Sequence, residues 1–213
     1  MVRSDTLEQY YVADRCEVVD FLRPHGPFES VLDVGCAGGA LAGELLGAGI
    51  ARACDGIEPN AEAAAHAGER LRKVWTGTLE TVEELIQWQQ YDVIVMADVL
   101  EHLVDPWSVL TQMRERTAPG CRLMLSVPNV RHYKVSFPLL FKGEFRYRDA
   151  GIMDRTHLHF FTRDSLLELL GECGWVAAHI GTHMKRRYRR WYYPTRLIEP
   201  FVAVQYMVIA EKR

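Results

Sequence analysis

Four carboxylates and two imidazoles stand where apolar runs of this chain give way to small or polar residues. Asp33 lies in Val31-Leu32-Asp33-Val34-Gly35-Cys36-Ala37-Gly38-Gly39-Ala40, two residues before Gly35. Glu58 ends a second apolar run, ahead of Pro59 and Asn60. Asp98, Glu101 and His102 follow a third, Tyr91 to Ala97, and His157 lies in a polar stretch far downstream. A carboxylate at the mouth of a small-residue loop repels a pyrophosphate but accepts hydrogen bonds from a ligand ammonium, directly or through water. A carboxylate at the tip of the following strand can take both hydroxyls of a ribose. An imidazole ordinarily titrates near neutral pH, which suits it to remove the proton of a hydroxyl nucleophile. His102 is the first candidate for that base and His157 the second. Each residue also has a plainer reading: a generic turn acid at Asp33, an exposed loop acid at Glu58, and at His102 a ring that braces its loop or touches a cofactor.

Such side chains need elements that bring them to one edge. The run from Val31 reads as a buried strand, Gly35 to Gly39 as a tight loop, and Ala40 to Leu46 as a helix whose free N–H groups face the loop. A dinucleotide loop would carry G-x-G-x-x-G, but Ala37 takes the second glycine's place. Ile50 to Ile57 predicts a second strand, with Asn60 capping an alanine-rich helix. Leu71 to Trp75 predicts a third, followed by Gly77-Thr78-Leu79 and a helix from Glu80 to Gln87. Tyr91 to Ala97, nearly all apolar, predicts a strand buried on both faces, and Pro106 suits the first turn of the next helix. Cys121 to Val127 is a fifth, ending in Ser126-Val127-Pro128-Asn129. Residues 130–161 break the alternation and read as a substrate-side cap. Thr162 caps a helix through Cys173, and Trp175 to Ile180 and Phe201 to Ala210 are two more strands, paired antiparallel at one edge. Residues 1–28 form a helical segment in which Tyr11 either packs or lids a ligand. The expected fold is α/β: a three-layer, Rossmann-like, seven-stranded mixed sheet, mostly parallel with the last strand antiparallel. Helices cover both faces, the cap is an insertion, and residues 1–213 make a single domain.

Composition narrows the partners. A net charge of −3 over 213 residues leaves no overall footprint for nucleic acid. The cap and the run Lys185-Arg186-Arg187-Tyr188-Arg189-Arg190-Trp191-Tyr192-Tyr193 are nevertheless basic. That asymmetry marks an anionic acceptor or surface, with RNA as an alternative and a solvated hairpin loop as the plainer reading of the run. No apolar run is long enough to cross a bilayer, and the N-terminus has no signal-peptide core. Five cysteines without a C-x-x-C pair fit reduced thiols, hence an expected cytoplasmic location. Oligomeric state has no signature in the sequence.

The loop of Asp33, Gly35 and Gly39 resembles the first motif of class I S-adenosylmethionine (SAM)-dependent methyltransferases, departing from it at Ala37. Asp98-Val99-Leu100-Glu101-His102-Leu103 after a Tyr91-Asp92 strand resembles a segment of small-molecule and glycan-biosynthesis methyltransferases. Gly151 to Thr162 resembles the D-R-T-H-L-R-F-F-T segment of bacterial surface-polysaccharide methyltransferases, with His159 for the usual Arg. The resemblance implies SAM as cofactor and S-adenosylhomocysteine (SAH) as product. It implies cofactor contacts at Asp33, Gly35, Cys36, Ala37, Gly39, Glu58, Pro59, Thr78, Leu79, Ala97, Asp98 and Val99, with Tyr11 as lid. Relatives often carry an acid at the Thr78 position to hold the adenine amino group; Thr78 weakens that contact, passes it to backbone amides, or merely caps a helix. His102, His157 and Glu101 are implied as catalytic machinery, and Tyr133, Arg155 and His159 as acceptor contacts. The implied reaction is in-line displacement of a methyl group from a sulfonium onto an oxygen, ahead of nitrogen, of a small-molecule, sugar or lipid-linked glycan acceptor.

A metal stands as the minor alternative. Asp98, Glu101 and His102, at i, i+3 and i+4, would share one face of a helical turn and with His157 make a two-oxygen, two-nitrogen set. That set is similar to the E-x-x-E-H plus distant His of Mg²⁺-dependent RNA 2′-O-methyltransferases and of some quinone O-methyltransferases. The D-V-L-E-H pattern is also widespread in enzymes not known to need metal. Two other classes compete: a catalytically inactive SAM-binding partner, and a nicotinamide oxidoreductase, against which Asp33 and Ala37 speak.

Overall fold

The computed structural model describes residues 15–184, 188 and 197–213. Tyr11, and the basic-aromatic run apart from Tyr188, lie outside the described residues. The chain folds as two compact units, one reaching to Ala97 and taking in Glu115–Met124, the other made of Asp98–Arg114 and Leu125–Arg213.

In the first unit, strand β1 (Val31–Val34) is buried at all four positions. It pairs in parallel with β2 (Cys54–Glu58) on one side and β4 (Val93–Ala97) on the other. A strand paired and covered on both sides carries no polar face, which is why these runs are apolar. β3 (Lys73–Thr76) pairs in parallel with β2, setting Glu58 opposite Thr76. The helices of this unit are α1 (Cys16–Leu22), α2 (Ala40–Gly47), α3 (Ala61–Ala67) and α4 (Leu79–Val82). Asn60 caps α3, its side chain accepting from the amides of Glu62 and Ala63 at 3.0 and 3.1 Å. The helix expected to run to Gln87 stops at Val82, where the chain tightens into a 3-10 turn over Glu83–Leu85. One buried acid of β2 is structural. Asp55 accepts from Arg72 Nε at 2.9 Å, Arg72 Nη2 at 2.6 Å and Tyr91 Oη at 2.7 Å.

Helix α5 (Pro106–Arg116) and strand β5 (Arg122–Pro128) contribute residues to both units. In the second unit follow α6 (Tyr133–Lys142), α7 (Arg163–Glu172), β6 (Trp175–Met184), α8 (Glu199–Val202) and β7 (Ala203–Lys212). Thr162 and Ser165 form a reciprocal capping box at the start of α7. β6 and β7 pair antiparallel from Trp175↔Lys212 to Met184↔Ala203. β6 therefore runs four residues past the expected Ile180, and Phe201 belongs to α8 rather than to the last strand. Trp175 anchors β6 by donating from Nε1 to the Leu110 carbonyl at 2.9 Å. The seven strands form one sheet of order β3-β2-β1-β4-β5-β7-β6, mostly parallel with an antiparallel final pair. This is the mixed sheet flanked by helices that the sequence predicts.

Candidate active site

The small-residue loop follows β1. Gly35 and Gly39 have φ of 74° and 75°, and Ala37 has φ 45°, a left-handed conformation that costs a residue with a Cβ. Glycine at 39 suits the site on a second count, because a Cβ there would crowd Leu71 Cδ1 at 2.6 Å and the Ala67 Cα at 3.1 Å. Gly56 on β2 makes room for the loop: a Cβ there would meet Cys36 Sγ at 2.5 Å. The amides of Gly35 and Cys36 both donate to the Ile57 carbonyl, at 2.8 and 3.0 Å, which ties the loop to the tip of β2.

Two acids stand beneath that loop. Glu58 is fully buried, its Oε2 accepting from the Ala37 amide at 2.9 Å and its Oε1 from the Asn60 amide at 2.8 Å. It is not the exposed loop acid of the plainer reading, because the loop folds over it. Asp33 is 2% exposed, and its Oδ2 has no hydrogen-bond partner among the described residues. Burial pushes the Asp33 carboxyl up to about 7, against the pull of Arg15, and the Glu58 charge adds to the rise. Cys36 is buried and Leu79 is buried, whereas Pro59 and Thr78 are exposed. Thr78 stands at the N-cap of α4 without a side-chain capping bond; its carbonyl accepts from Thr81 Oγ1 at 2.8 Å.

In the second unit, Asp98 adopts φ 56° and Leu100–His102 is a 3-10 turn. The α-helical face expected to join Asp98, Glu101 and His102 therefore does not form. Asp98 turns instead to Ser126 and Gln205: Oδ1 accepts from Ser126 Oγ at 3.2 Å and from Gln205 Nε2 at 2.7 Å, and Oδ2 from Gln205 Nε2 at 2.9 Å. Ala97, Asp98 and Val99 are half-buried.

Glu101, His102 and His157 do come together, with one potential ligand atom from each within 4.8 Å of the others. Glu101 and His157 are buried, and Glu101 Oε1 lies 3.9 Å from His157 Nε2. The two imidazoles meet edge to face with centroids 4.8 Å apart. His157 Nδ1 reaches the Ile152 carbonyl at 3.2 Å, so Nδ1 carries the proton and Nε2 keeps its lone pair. Burial, then the neighbouring His102, holds the His157 ring below the usual imidazole range, in its neutral form. The exposed His102 presents Nδ1 to the Thr156 carbonyl at 3.3 Å and to Thr156 Oγ1 at 3.2 Å. That hydroxyl gives its own proton to Asp154 Oδ1 at 2.7 Å, so both atoms facing Nδ1 are acceptors. Nδ1 must then be the protonated nitrogen of neutral His102, and Nε2 the basic one.

The expected acceptor contacts divide. Tyr133 opens α6 and its hydroxyl lies 3.3 Å from that of Tyr188. Arg155 pairs with Asp149 at 2.8 Å on the surface. His159 packs edge-on against Trp107 and reaches the Val104 carbonyl at 3.4 Å, the contacts of a brace. Sequence reasoning missed Thr156, Asp154 and Gln205 as partners of the central residues. Thr156 and Asp154 lie inside the run that was singled out, whereas Gln205 has no local signal.

The methyltransferase-domain family matches residues 8–180. The mitochondrial ubiquinone biosynthesis O-methyltransferase of Candida albicans is 28% identical over 149 residues, 67% of this chain and 45% of that protein. The ubiquinone biosynthesis O-methyltransferase of Aeromonas salmonicida is 30% identical over 142 residues, 65% of this chain and 59% of that protein. The chain thus spans about half the length of the curated relatives it matches. A SAM-dependent methyltransferase from Archaeoglobus fulgidus shares the fold at TM-score 0.69 and 16% identity, covering 99% of this chain and all of that one. No described helix is long and apolar enough to cross a membrane. With its match extending over most of its length, the chain belongs to the methyltransferase-domain family of enzymes.

Proposed function

We propose that this protein transfers the methyl group of SAM to an oxygen of a small-molecule, sugar or lipid-linked acceptor. The observation that carries the cofactor half is Asp33: a buried carboxyl whose Oδ2 lacks a partner among the described residues, at a strand tip beside a small-residue loop. The ammonium of an amino-acid nucleoside would supply that partner and stabilise the ionised form. Glu58 keeps a further lone pair on each oxygen for a ribose hydroxyl, and Gly35, Cys36, Ala37, Gly39, Pro59, Thr78, Leu79, Ala97, Asp98 and Val99 complete the contacts in this reading. The bound cofactor supplies an electrophilic methyl on a sulfonium. The chain's own part is to orient a nucleophile and take its proton. His102 Nε2 is the base, because Thr156 holds the proton on Nδ1. His157 and Glu101 stand behind it, and the neutral His157 adds no charge to resist protonation of its neighbour.

The test is transfer of label from methyl-labelled SAM to a fractionated extract, with wild type, H102A and D33N side by side. Label in an organic acceptor that disappears with H102A, together with calorimetric binding of SAH that weakens in D33N, supports the reading. Absence of any heat with SAM or SAH overturns it.

A second reading has one observation in its favour. Glu101, His102 and His157 offer a carboxylate and two imidazole nitrogens within 4.8 Å of one another, a donor set that fits a divalent cation. There the group would bind the acceptor's oxygen and lower its pKa. Activity lost in chelator and restored by Mg²⁺ or Mn²⁺ supports this reading; activity indifferent to chelator removes it.

A further inference from the structure

A cavity of about 300 Å³ opens within the second unit, beside α6. Val135 and Pro138 of α6, Phe145, Ile152 and Met153 give it an apolar lining. Val135 and Met153 are themselves buried, Pro138 and Ile152 half-buried and Phe145 exposed, so the hollow is partly set into the unit and open to one side. Its volume is at the small end of ligand pockets.

Charge makes the cavity one-sided. Lys134, Arg146 and Arg148 line it against a single acid, Glu144. Glu144 is already matched, because Arg146 Nη2 lies 3.2 Å from its Oε1. Neither Lys134 nor Arg148 has a side-chain ion pair or hydrogen bond among the described residues. Two cations beside an apolar hollow, in a chain of net charge −3, fit an anion that carries an apolar body.

The cavity also adjoins the imidazole pair through one residue. The Ile152 side belongs to the cavity lining, and the Ile152 carbonyl is what holds His157 Nδ1 at 3.2 Å. Ile152 therefore links the cavity lining to the ring that backs His102.

We infer that this cavity is the acceptor subsite and that it takes an amphiphilic anion, with the apolar body against Val135, Pro138, Phe145, Ile152 and Met153 and a phosphate or carboxylate on Arg148 and Lys134. The assignment as acceptor subsite rests on the methyl-transfer reading; the binding of an amphiphilic anion does not.

Calorimetry with octyl phosphate, 1-octanol and inorganic phosphate tests it on the full chain, in wild type, R148E and M153W, with SAH titrated into each preparation. Octyl phosphate should bind wild type, and R148E should weaken it about tenfold or more while changing 1-octanol by less than about twofold. M153W, which fills the hollow, should weaken both; R148E is the arm that does not depend on repacking, and circular dichroism checks that each variant folds. Inorganic phosphate as tight as octyl phosphate, or octyl phosphate unaffected by R148E, overturns the subsite. SAH separates the two claims. If SAH fails to bind while octyl phosphate behaves as stated, methyl transfer falls and the anion site stands. If SAH binds and octyl phosphate does not, the reverse holds.

Discussion

Thr156 Oγ1 lies 3.2 Å from His102 Nδ1 and gives its own proton to Asp154 Oδ1 at 2.7 Å. The hydroxyl thus meets the imidazole as an acceptor, and the tautomer of His102 follows from that one bond and the neighbouring carbonyl. T156V keeps the shape and removes the acceptor. It should lower kcat about tenfold with little change in KM, and T156S should restore it. Nitrogen NMR of His102 should show a single neutral tautomer in wild type and a mixture in T156V. An unchanged kcat and an unchanged tautomer would remove Thr156 from the mechanism.

Asp33 should make both stability and cofactor binding depend on pH. Its carboxyl titrates near 3.8 when exposed and about 7 when folded. Between those values the native state holds the proton and the unfolded state does not. Stability therefore falls as pH rises from 3.8 to about 7, then levels off. D33N should flatten that slope in denaturant titrations. Binding of a ligand ammonium favours the ionised form, so SAH should displace a proton below pH 7. Calorimetry at one pH in buffers of different ionisation enthalpy would register it; identical heats in all buffers would contradict it.

Ala37 holds φ 45° where the resembling motif has glycine. The left-handed conformation costs an L-residue on the order of 1 kcal/mol, and glycine escapes most of it. A37G should raise stability by up to about 1 kcal/mol in chemical denaturation, despite the greater freedom glycine has when unfolded. A loss of stability on that substitution would show that the Ala37 methyl packs usefully.

The Asp55, Arg72 and Tyr91 cluster should behave as structure, without a part in chemistry. Y91F removes the 2.7 Å bond to a carboxylate that is 1% exposed, and should cost roughly 1 to 3 kcal/mol. D55A leaves Tyr91 and Arg72 without their shared acceptor; because the Arg72 side chain is 47% exposed and water can take its charge, the cost should be about 1 to 3 kcal/mol. Affinity for SAH should stay within about twofold in Y91F wherever the protein is folded. A selective loss of SAH affinity would place this cluster in the cofactor's support.

Local pattern carried much of the fold. The apolar runs that end at Val34, Glu58, Ala97 and Pro128 are strands because each is paired and covered on both sides, and such a run is visible in a window of a few residues. Asn60 and Thr162 could be read as caps because a cap bonds to amides two or three residues away. The tight loop from Gly35 to Gly39 was legible because its small residues are adjacent in the sequence, whereas the left-handed φ of Ala37 was not.

What tertiary structure alone decided is who faces whom. Asp98 reads as a member of one helical face with Glu101 and His102, yet it bonds Gln205, 107 residues away, because β7 lies next to β5 in the sheet. Glu58 reads as a strand-tip acid placed to take a ribose, and only the fold shows that the Ala37 amide, 21 residues upstream, closes over one of its oxygens. His102 and His157 meet through a pairing that no periodicity encodes. Helical and strand patterns are set by bonds between near neighbours in the chain, so short windows of sequence hold them. The ionisation of Asp33 and His157 is set by burial, and the tautomers of His102 and His157 by acceptors that only the folded backbone brings within about 3 Å.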